Sequence, residues 1–259
     1  MVALWRYPVK SMMGEEINAT RLVERGLAGD RVYAIVDPDT GKVASAKNPK
    51  KWPHLFDCRA ALVALPDAAE AIPPVQVTLP DGSVTRSDDG GFERALSSML
   101  GRAGQLQSAV PDEPVLEEYW PDRDAVTDET MPIGTFFDLA PVHVLTTATL
   151  DRLRALYPAG RFEVRRFRPN IVIESPPEGE PFPEGGWVGA TISIGDEVQL
   201  RITSQCPRCV MTTLPQSDLP RDPGILRAAA QHNDAHVGAY AEVVRTGTIR
   251  RGDQVALAA

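Results

Sequence analysis

The sequence predicts a mainly β protein with attached helices, an α+β chain built as two domains. Three observations carry this expectation. Hairpin signals recur along the chain; 23 prolines and 20 glycines among 259 residues demand many turns; and the helical periods are short and do not alternate regularly with strands. The length exceeds the usual single domain and is ample for burying a core. Residues 1–115, the expected first domain, read mainly as strands in a barrel-like arrangement. "RVYAIV" and "KVASA" flank the turn Asp37-Pro38-Asp39-Thr40-Gly41, and "VQVTL" and "SVTR" flank Pro80-Asp81-Gly82. One helix interrupts them, because Phe92, Leu96 and Leu100 recur every four residues after Asp88-Asp89-Gly90-Gly91 and before Gly101. From about residue 105 to 135 the chain is rich in proline and acids and has no sustained period, which places the domain boundary there.

Residues 116–259 form the expected second domain. "APVHVL" reads as a strand running into Thr146-Thr147, two N-cap residues for a helix whose Leu150, Leu153 and Leu156 share a face and which stops by Pro158. "RPNIVIE" is a further strand, and "TISIG" with "EVQLRITS" forms a hairpin around Gly195-Asp196. Asp222-Pro223 starts a helix, with Asp as cap and Pro in the first turn. "TIRRGDQVAL" reads as a closing hairpin.

A net charge of -8 and a pI near 5.1 argue against nucleic acid or an anionic membrane as partner, since both reward basic surfaces. Any anion site must therefore be a local cluster of Arg and Lys. Three cysteines are too few for a disulfide framework, and "MVALWRYPVKSMMGEE" lacks the apolar run of a signal peptide or membrane span, so the chain reads as cytoplasmic and reduced.

Two of the cysteines lie together in "SQCPRCVMTT", residues 204–213. Structural zinc is one reading, since Cys206 and Cys209 are followed by His232 and His236. The interval to His232 is longer than the roughly 12–15 residues of the finger pattern, and it contains Pro215, Pro220 and Pro223. A dithiol redox site is a second reading, but it favours a cysteine at a helix N-terminus, whereas "VMTTL" is β-prone. The pair could also be two buried small hydrophobes, although Arg208 between them weakens that reading. The fourth reading is a thiolate that binds a soft, high-valent metal or carries a sulfur atom, with nearby cations holding an anionic cofactor. Candidates for those cations and polar partners stand at strand ends: Lys10-Ser11, Arg31, and Arg168-Pro169-Asn170.

Together these segments resemble one family. "LWRYPVKSMMGEEI" and "GLAGDRVYAIVD" look like the N-terminal β-barrel domain that accompanies MOSC domains. "RFRPNIVI" followed by "SQCPRCVMTT" looks like the MOSC domain itself, a β-barrel domain with attached helices, named from molybdenum cofactor sulfurases. Y-P-V-K-S, G-D-R, F-R-P-N and C-x-R-C appear in family order across nearly the whole chain, as in the group that includes the mitochondrial amidoxime reducing components and their bacterial relatives. The resemblance implies that Cys209 ligates molybdenum beside the dithiolene of a molybdopterin-type cofactor and that Cys206 is structural. It implies that Lys10, Ser11, Arg31, Arg168, Asn170 and Arg208, with Asp138 in "FFDLAPVHVL", hold the cofactor's phosphate and pterin, chemistry suited to Lys point charges, Arg forks and an amide. The implied activity is an oxidoreductase that removes oxygen from a small N-hydroxylated or N-oxygenated substrate. Its electrons would come from a separate flavin or ferredoxin-type protein, since the chain has no dinucleotide fingerprint and too few cysteines for an iron–sulfur cluster as well. A sulfur carrier using a Cys209 persulfide and a non-catalytic cofactor carrier remain open. Pro207 stands where relatives often carry serine, and "TTLPQSDLPRDPG" replaces the commoner segment; both border the expected metal position and bear on what can enter. His232 and His236 read as helix residues near the site mouth with a surface role.

Overall fold

In the computed structural model, which describes residues 1–66, 72–108, 112–120, 123–132, 136–176 and 179–257, the chain is mostly short strands with a few helices. The first strands are β1 (Ala3–Arg6), β2 (Glu15–Ile17), β3 (Ala19–Val23), β4 (Gly26–Leu27), β5 (Ala34–Val36), β6 (Arg59–Leu62), β7 (Val75–Thr78) and β8 (Val84–Arg86). Helix α1 (Phe92–Leu100) precedes β9 (Gln105–Gln107), β10 (Val115–Trp120), β11 (Ala125–Thr130) and β12 (Val142–Thr146). Helices α2 (Thr147–Leu156) and α3 (Val164–Phe167) lead to β13 (Ile171–Ile173), β14 (Thr191–Ile194) and β15 (Val198–Pro207). After α4 (Pro223–Asn233) come β16 (His236–Arg245), β17 (Gly247–Arg250) and β18 (Val255–Leu257).

The chain divides into two units, one of Met1–Trp5, Glu16–Ala28 and Ala140–Ala259, the other of Arg6–Glu15 and Gly29–Leu139. The boundary expected at residues 115 and 116 falls at the start of β10.

The first unit is organised by a curled eight-stranded sheet in the order β18-β14-β15-β16-β12-β13-β1-β2. All five residues of β12 are buried, as expected of a central strand covered on both faces. Strand β12 runs parallel to β13, and a parallel pair needs a long crossover, which α2 and α3 supply. Thr146 Oγ1 accepts the Thr149 N–H at 3.2 Å, so the threonine cap read from the sequence does start α2. Asp222 caps α4 in the same way, accepting the Gly224 N–H at 2.8 Å. Leu4, Val144, Ile171, Ile192, Leu200, Ile202 and Ala239 share one core; Leu150, Leu153, Phe162, Phe167, Ile225 and Val237 form another beneath the helices.

In the second unit, β6-β7-β8 form an antiparallel sheet, and the expected β7–β8 pairing is present. Helix α1 buries Phe92, Leu96 and Leu100 and stops at Gly101, whose φ of 66° is the left-handed conformation that glycine adopts without strain. The turn after β5 brings Val43 to Val36 as a single bridge, while the ladder partner of β5 is β9.

Three local expectations are corrected. Residues 115–130, read as aperiodic, contain the six-rung β10–β11 hairpin. The tail is no hairpin, because β17 pairs with β3 and β18 pairs with β14. The run after Cys209 is a 3-10 turn, Val210–Thr213, although its residues are β-prone. No helix among the described residues is long and apolar enough to cross a membrane.

Candidate functional site

Strand β15 delivers the cysteine pair. It pairs with β16 along most of its length, but the register slips three times, the last time between Gln205 and Pro207. Such irregularities bend a strand and re-aim its side chains. The chain leaves the sheet there: the Arg208 N–H donates to Ala235 O at 2.8 Å, and Cys209 opens the 3-10 turn.

The two thiols meet different surroundings. Cys206 is fully buried, and Arg208 Nη1 donates to its sulfur at 2.8 Å. Burial favours the neutral thiol, but Arg208, His143 and Tyr240 outweigh it and bring Cys206 down to about 6. His143 is itself buried, its ring nitrogen Nε2 3.0 Å from Val237 O, and it stands edge-on to Tyr240 with ring centroids 5.8 Å apart. Cys206 is thus held by polar contacts and not as a small hydrophobe. Cys209 is only partly buried. The third cysteine, Cys58, is buried in the second unit, and burial first, then Asp57, pushes its thiol up to about 12.

Asn170 is completely buried and tied into the sheet: its Oδ1 accepts the His143 N–H at 3.1 Å, and its Nδ2 donates to Trp5 O at 3.3 Å. Arg168 closes α3, with its N–H on Val164 O at 3.2 Å. A buried residue that sequence reading missed lies two positions earlier: Arg166 donates to the carbonyl of Thr212, within the turn after Cys209, and to those of Leu214 and Pro220 beyond it.

In the second unit the structure brings Lys10, Arg31 and Asp138 into one electrostatic group. Lys10 Nζ donates to Phe136 O at 3.0 Å and pairs with Asp138, which also faces Lys47 at 3.5 Å. Arg31 pairs with Asp30 and lies over the Tyr7 ring, 5.2 Å from its centroid. The expected cluster of cations is therefore interleaved with carboxylates, as burial of a lysine requires. Burial favours a neutral Asp138, but Lys10, Lys47 and Arg31 prevail and hold its carboxyl well below the usual range. Ser11 Oγ accepts the Ala46 N–H at 3.1 Å.

Ser11, Arg31 and Arg168 share a backbone property: each is a non-glycine residue at positive φ, 63°, 49° and 53°. That conformation is uncommon outside glycine and costs about 1–3 kcal/mol where it is forced. Its presence at three of the predicted positions marks them as held in place by their surroundings.

The zinc spacing does not assemble a site. His232 is exposed on α4, and His236 opens β16 instead of lying on the helix. Among the described residues no group of three or more His, Cys, Asp or Glu could hold a metal ion. The donors around Cys209 do suit a soft metal with anionic ligands: partly exposed Cys209 adjoins Arg208, whose buried Nε has no hydrogen-bond partner among the described residues. A cavity of about 350 Å³ between Ile173, Trp187 and Val255 is lined by none of the predicted residues.

Residues 134–256 match the MOSC domain family, and residues 1–88 match the MOSC N-terminal beta barrel domain family. Mitochondrial amidoxime reducing component 2 of Rattus norvegicus is 23% identical over 287 residues, covering 97% of this chain and 81% of that protein. The Bos taurus protein of the same name is 26% identical over 233 residues, covering 82% of this chain and 65% of its own length. Among solved structures, the YUAD protein from Bacillus subtilis aligns over 98% of this chain and 94% of its own at 13% identity, with a TM-score of 0.47. YiiM from Geobacillus stearothermophilus aligns over 58% and 74% at 14% identity, with a TM-score of 0.36.

Proposed function

Because this chain belongs to the MOSC-domain proteins, we propose that it is a molybdenum-cofactor-binding oxidoreductase that reduces N-hydroxylated or N-oxygenated compounds. The observation that carries the reading is the adjacency of Cys209, partly exposed where β15 leaves its sheet, and Arg208, whose buried Nε has no partner among the described residues. The similarity to proteins named amidoxime reducing components points to amidoxime-like substrates.

Cys209 is the metal ligand in this reading, a soft thiolate donor that tunes the metal and does not attack the substrate. Arg208 supplies a guanidinium fixed from one side by Cys206. Lys10, Ser11, Arg31 and Arg168 are the proposed phosphate and pterin contacts, and Asn170, whose amide is bonded within the sheet, would serve them by holding the strand that follows Arg168. Asp138 serves as the counter-charge that keeps Lys10 buried as a cation; with its carboxyl held in the ionised form, it is not the proton donor at neutral pH. The cofactor, when bound, supplies the oxygen acceptor and the two-electron couple. For an amidoxime the overall change consumes two electrons and two protons, breaks the N–O bond and yields an amidine and water. The electrons come from a separate flavin or ferredoxin-type protein.

The test is elemental analysis for molybdenum and zinc on protein made in a cofactor-competent host, comparing wild type with Cys209→Ala and Cys206→Ala. Near-stoichiometric molybdenum lost selectively from Cys209→Ala, followed by turnover of an amidoxime by the reduced wild type, supports the reading. Stoichiometric zinc lost from both variants sinks it. Absence of any metal moves the weight to a persulfide on Cys209, which mass spectrometry of the thiol would detect.

A further inference from the structure

The segment carrying Cys209 lies outside the ladder that leads to it. After β15 the chain passes through Cys209, the 3-10 turn Val210–Thr213, Leu214 and Pro220 before α4 begins. Such irregular stretches are ordinarily among the least protected parts of a fold. Yet Met211, Thr212 and Thr213 are buried, and the carbonyls of Thr212 and the following Leu214 are met by a single guanidinium.

That guanidinium belongs to Arg166 on α3, 1% exposed and among the largest fully buried side chains. Nε donates to Arg161 O at 2.9 Å, Nη1 to Thr212 O at 3.2 Å and to Leu214 O at 3.3 Å, and Nη2 to Pro220 O at 2.8 Å. One planar fork thus ties three separate segments. The link continues to the cysteine, because the Thr212 N–H and Oγ1 both donate to Cys209 O, at 3.2 and 3.1 Å.

Packing alone does not call for arginine here. All four acceptors are neutral carbonyls, and burying a cation among neutral groups costs several kcal/mol, whereas Met or Leu could fill much of the space without that loss. Burial lowers the Arg166 pKa against the attraction of Asp222 and Glu163. What arginine provides and an apolar residue cannot is a rigid set of donors in a fixed plane. We propose that Arg166 is a positioning residue that fixes the turn after Cys209, through Thr212, and so sets the direction of the Cys209 thiol. The value of that direction for cofactor binding rests on the reading of Cys209 as the metal ligand; the clamp itself is a property of the protein alone.

The experiment uses the full chain without added metal. Alkylation of Cys209 by iodoacetamide, located by peptide mass spectrometry, and hydrogen exchange over residues 210–220 are measured for wild type, Arg166→Lys and Arg166→Gln, alongside circular dichroism and Tm. The expected result is a folded Arg166→Gln in which Cys209 reactivity changes and exchange at 210–214 accelerates about tenfold or more, with Arg166→Lys only partly restoring both. A lower Tm with Cys209 reactivity and exchange at 210–214 left as in wild type overturns the proposal and makes Arg166 merely structural. Should neither variant fold, the wild type carries the test: amides 210–214 are expected to exchange together with 164–168 as one unit, and exchange of 210–214 at an open-loop rate overturns it. Because no metal enters these measurements, their outcome is independent of whether Cys209 proves to bind molybdenum.

Discussion

Arg208 and the buried Cys206 form a charge-assisted contact, with Nη1 2.8 Å from Sγ and both residues on the same exit from β15. Arg208, His143 and Tyr240 together overcome the burial that opposes a thiolate and bring the thiol down to about 6. Thiolate absorbance should therefore titrate near pH 6 and disappear in Cys206→Ser. Linkage gives the sign for stability. The folded value, about 6, is depressed from 9.0, so the contribution is fully present above about pH 9 and is lost as pH falls through about 6. In urea titrations the stability advantage of wild type over Cys206→Ser should shrink across that window; an advantage that grows on acidification would refute the ion pair.

Glu184 offers a second test. It is 2% exposed, and its carboxylate accepts from Thr146 N at 2.7 Å, Thr146 Oγ1 at 2.8 Å and Thr149 Oγ1 at 2.5 Å, at the start of α2. Glu184→Gln replaces a charged acceptor with an amide and should destabilise the protein by about 1–3 kcal/mol. Denaturant unfolding measures it, and hydrogen exchange should show the loss concentrated in the first turn of α2.

Buried Lys10, paired with the partly exposed Asp138, predicts strong non-additivity. Asp138→Leu leaves the buried ammonium without its carboxylate and should cost about 3–5 kcal/mol, whereas Lys10→Met with Asp138→Leu should recover much of that. A double-mutant cycle in urea checks it. Additive single-site effects would show that the pair does not act as a unit.

Gly238, in β16, has φ of 82°, and a Cβ there would lie 2.4 Å from His143 Nε2 and 2.5 Å from Val144 O. Gly238→Ala should cost at least about 1–3 kcal/mol from the backbone alone. It should also displace the His143 ring from Val237 O, so the Cys206 thiol should titrate higher than in wild type. Spectroscopic titration of the variant decides this.

The sequence made legible those elements whose signals are local. Thr146 and Asp222 cap their helices, Phe92, Leu96 and Leu100 define a buried stripe, and Gly195-Asp196 turns one strand into the next. Strand β10 escaped because its Glu117 and Glu118 sit where alternation would lead one to expect apolar or exposed residues; they pair with Lys51 and Lys47 at 2.7 and 3.2 Å. The partners of β17 and β18 are far away in the chain, so adjacency suggested a hairpin that does not exist. At the candidate site, motif order singled out Cys209 and Arg208, the residues on which the proposal rests. The roles of His143, Tyr240 and Arg166 depend on strands and loops meeting in space, and no spacing rule announces a buried arginine.

The positive φ values at Ser11, Arg31 and Arg168 bear on how this protein can be engineered. A stability screen or consensus redesign, blind to ligands, would tend to accept glycine at these positions, since glycine relieves the backbone at no steric cost. Each such gain in robustness would delete a hydroxyl or a guanidinium from the proposed cofactor contacts. These three positions are therefore the ones to hold constant in a thermostabilised version, and the ones where selection for durability and selection for activity should pull in opposite directions.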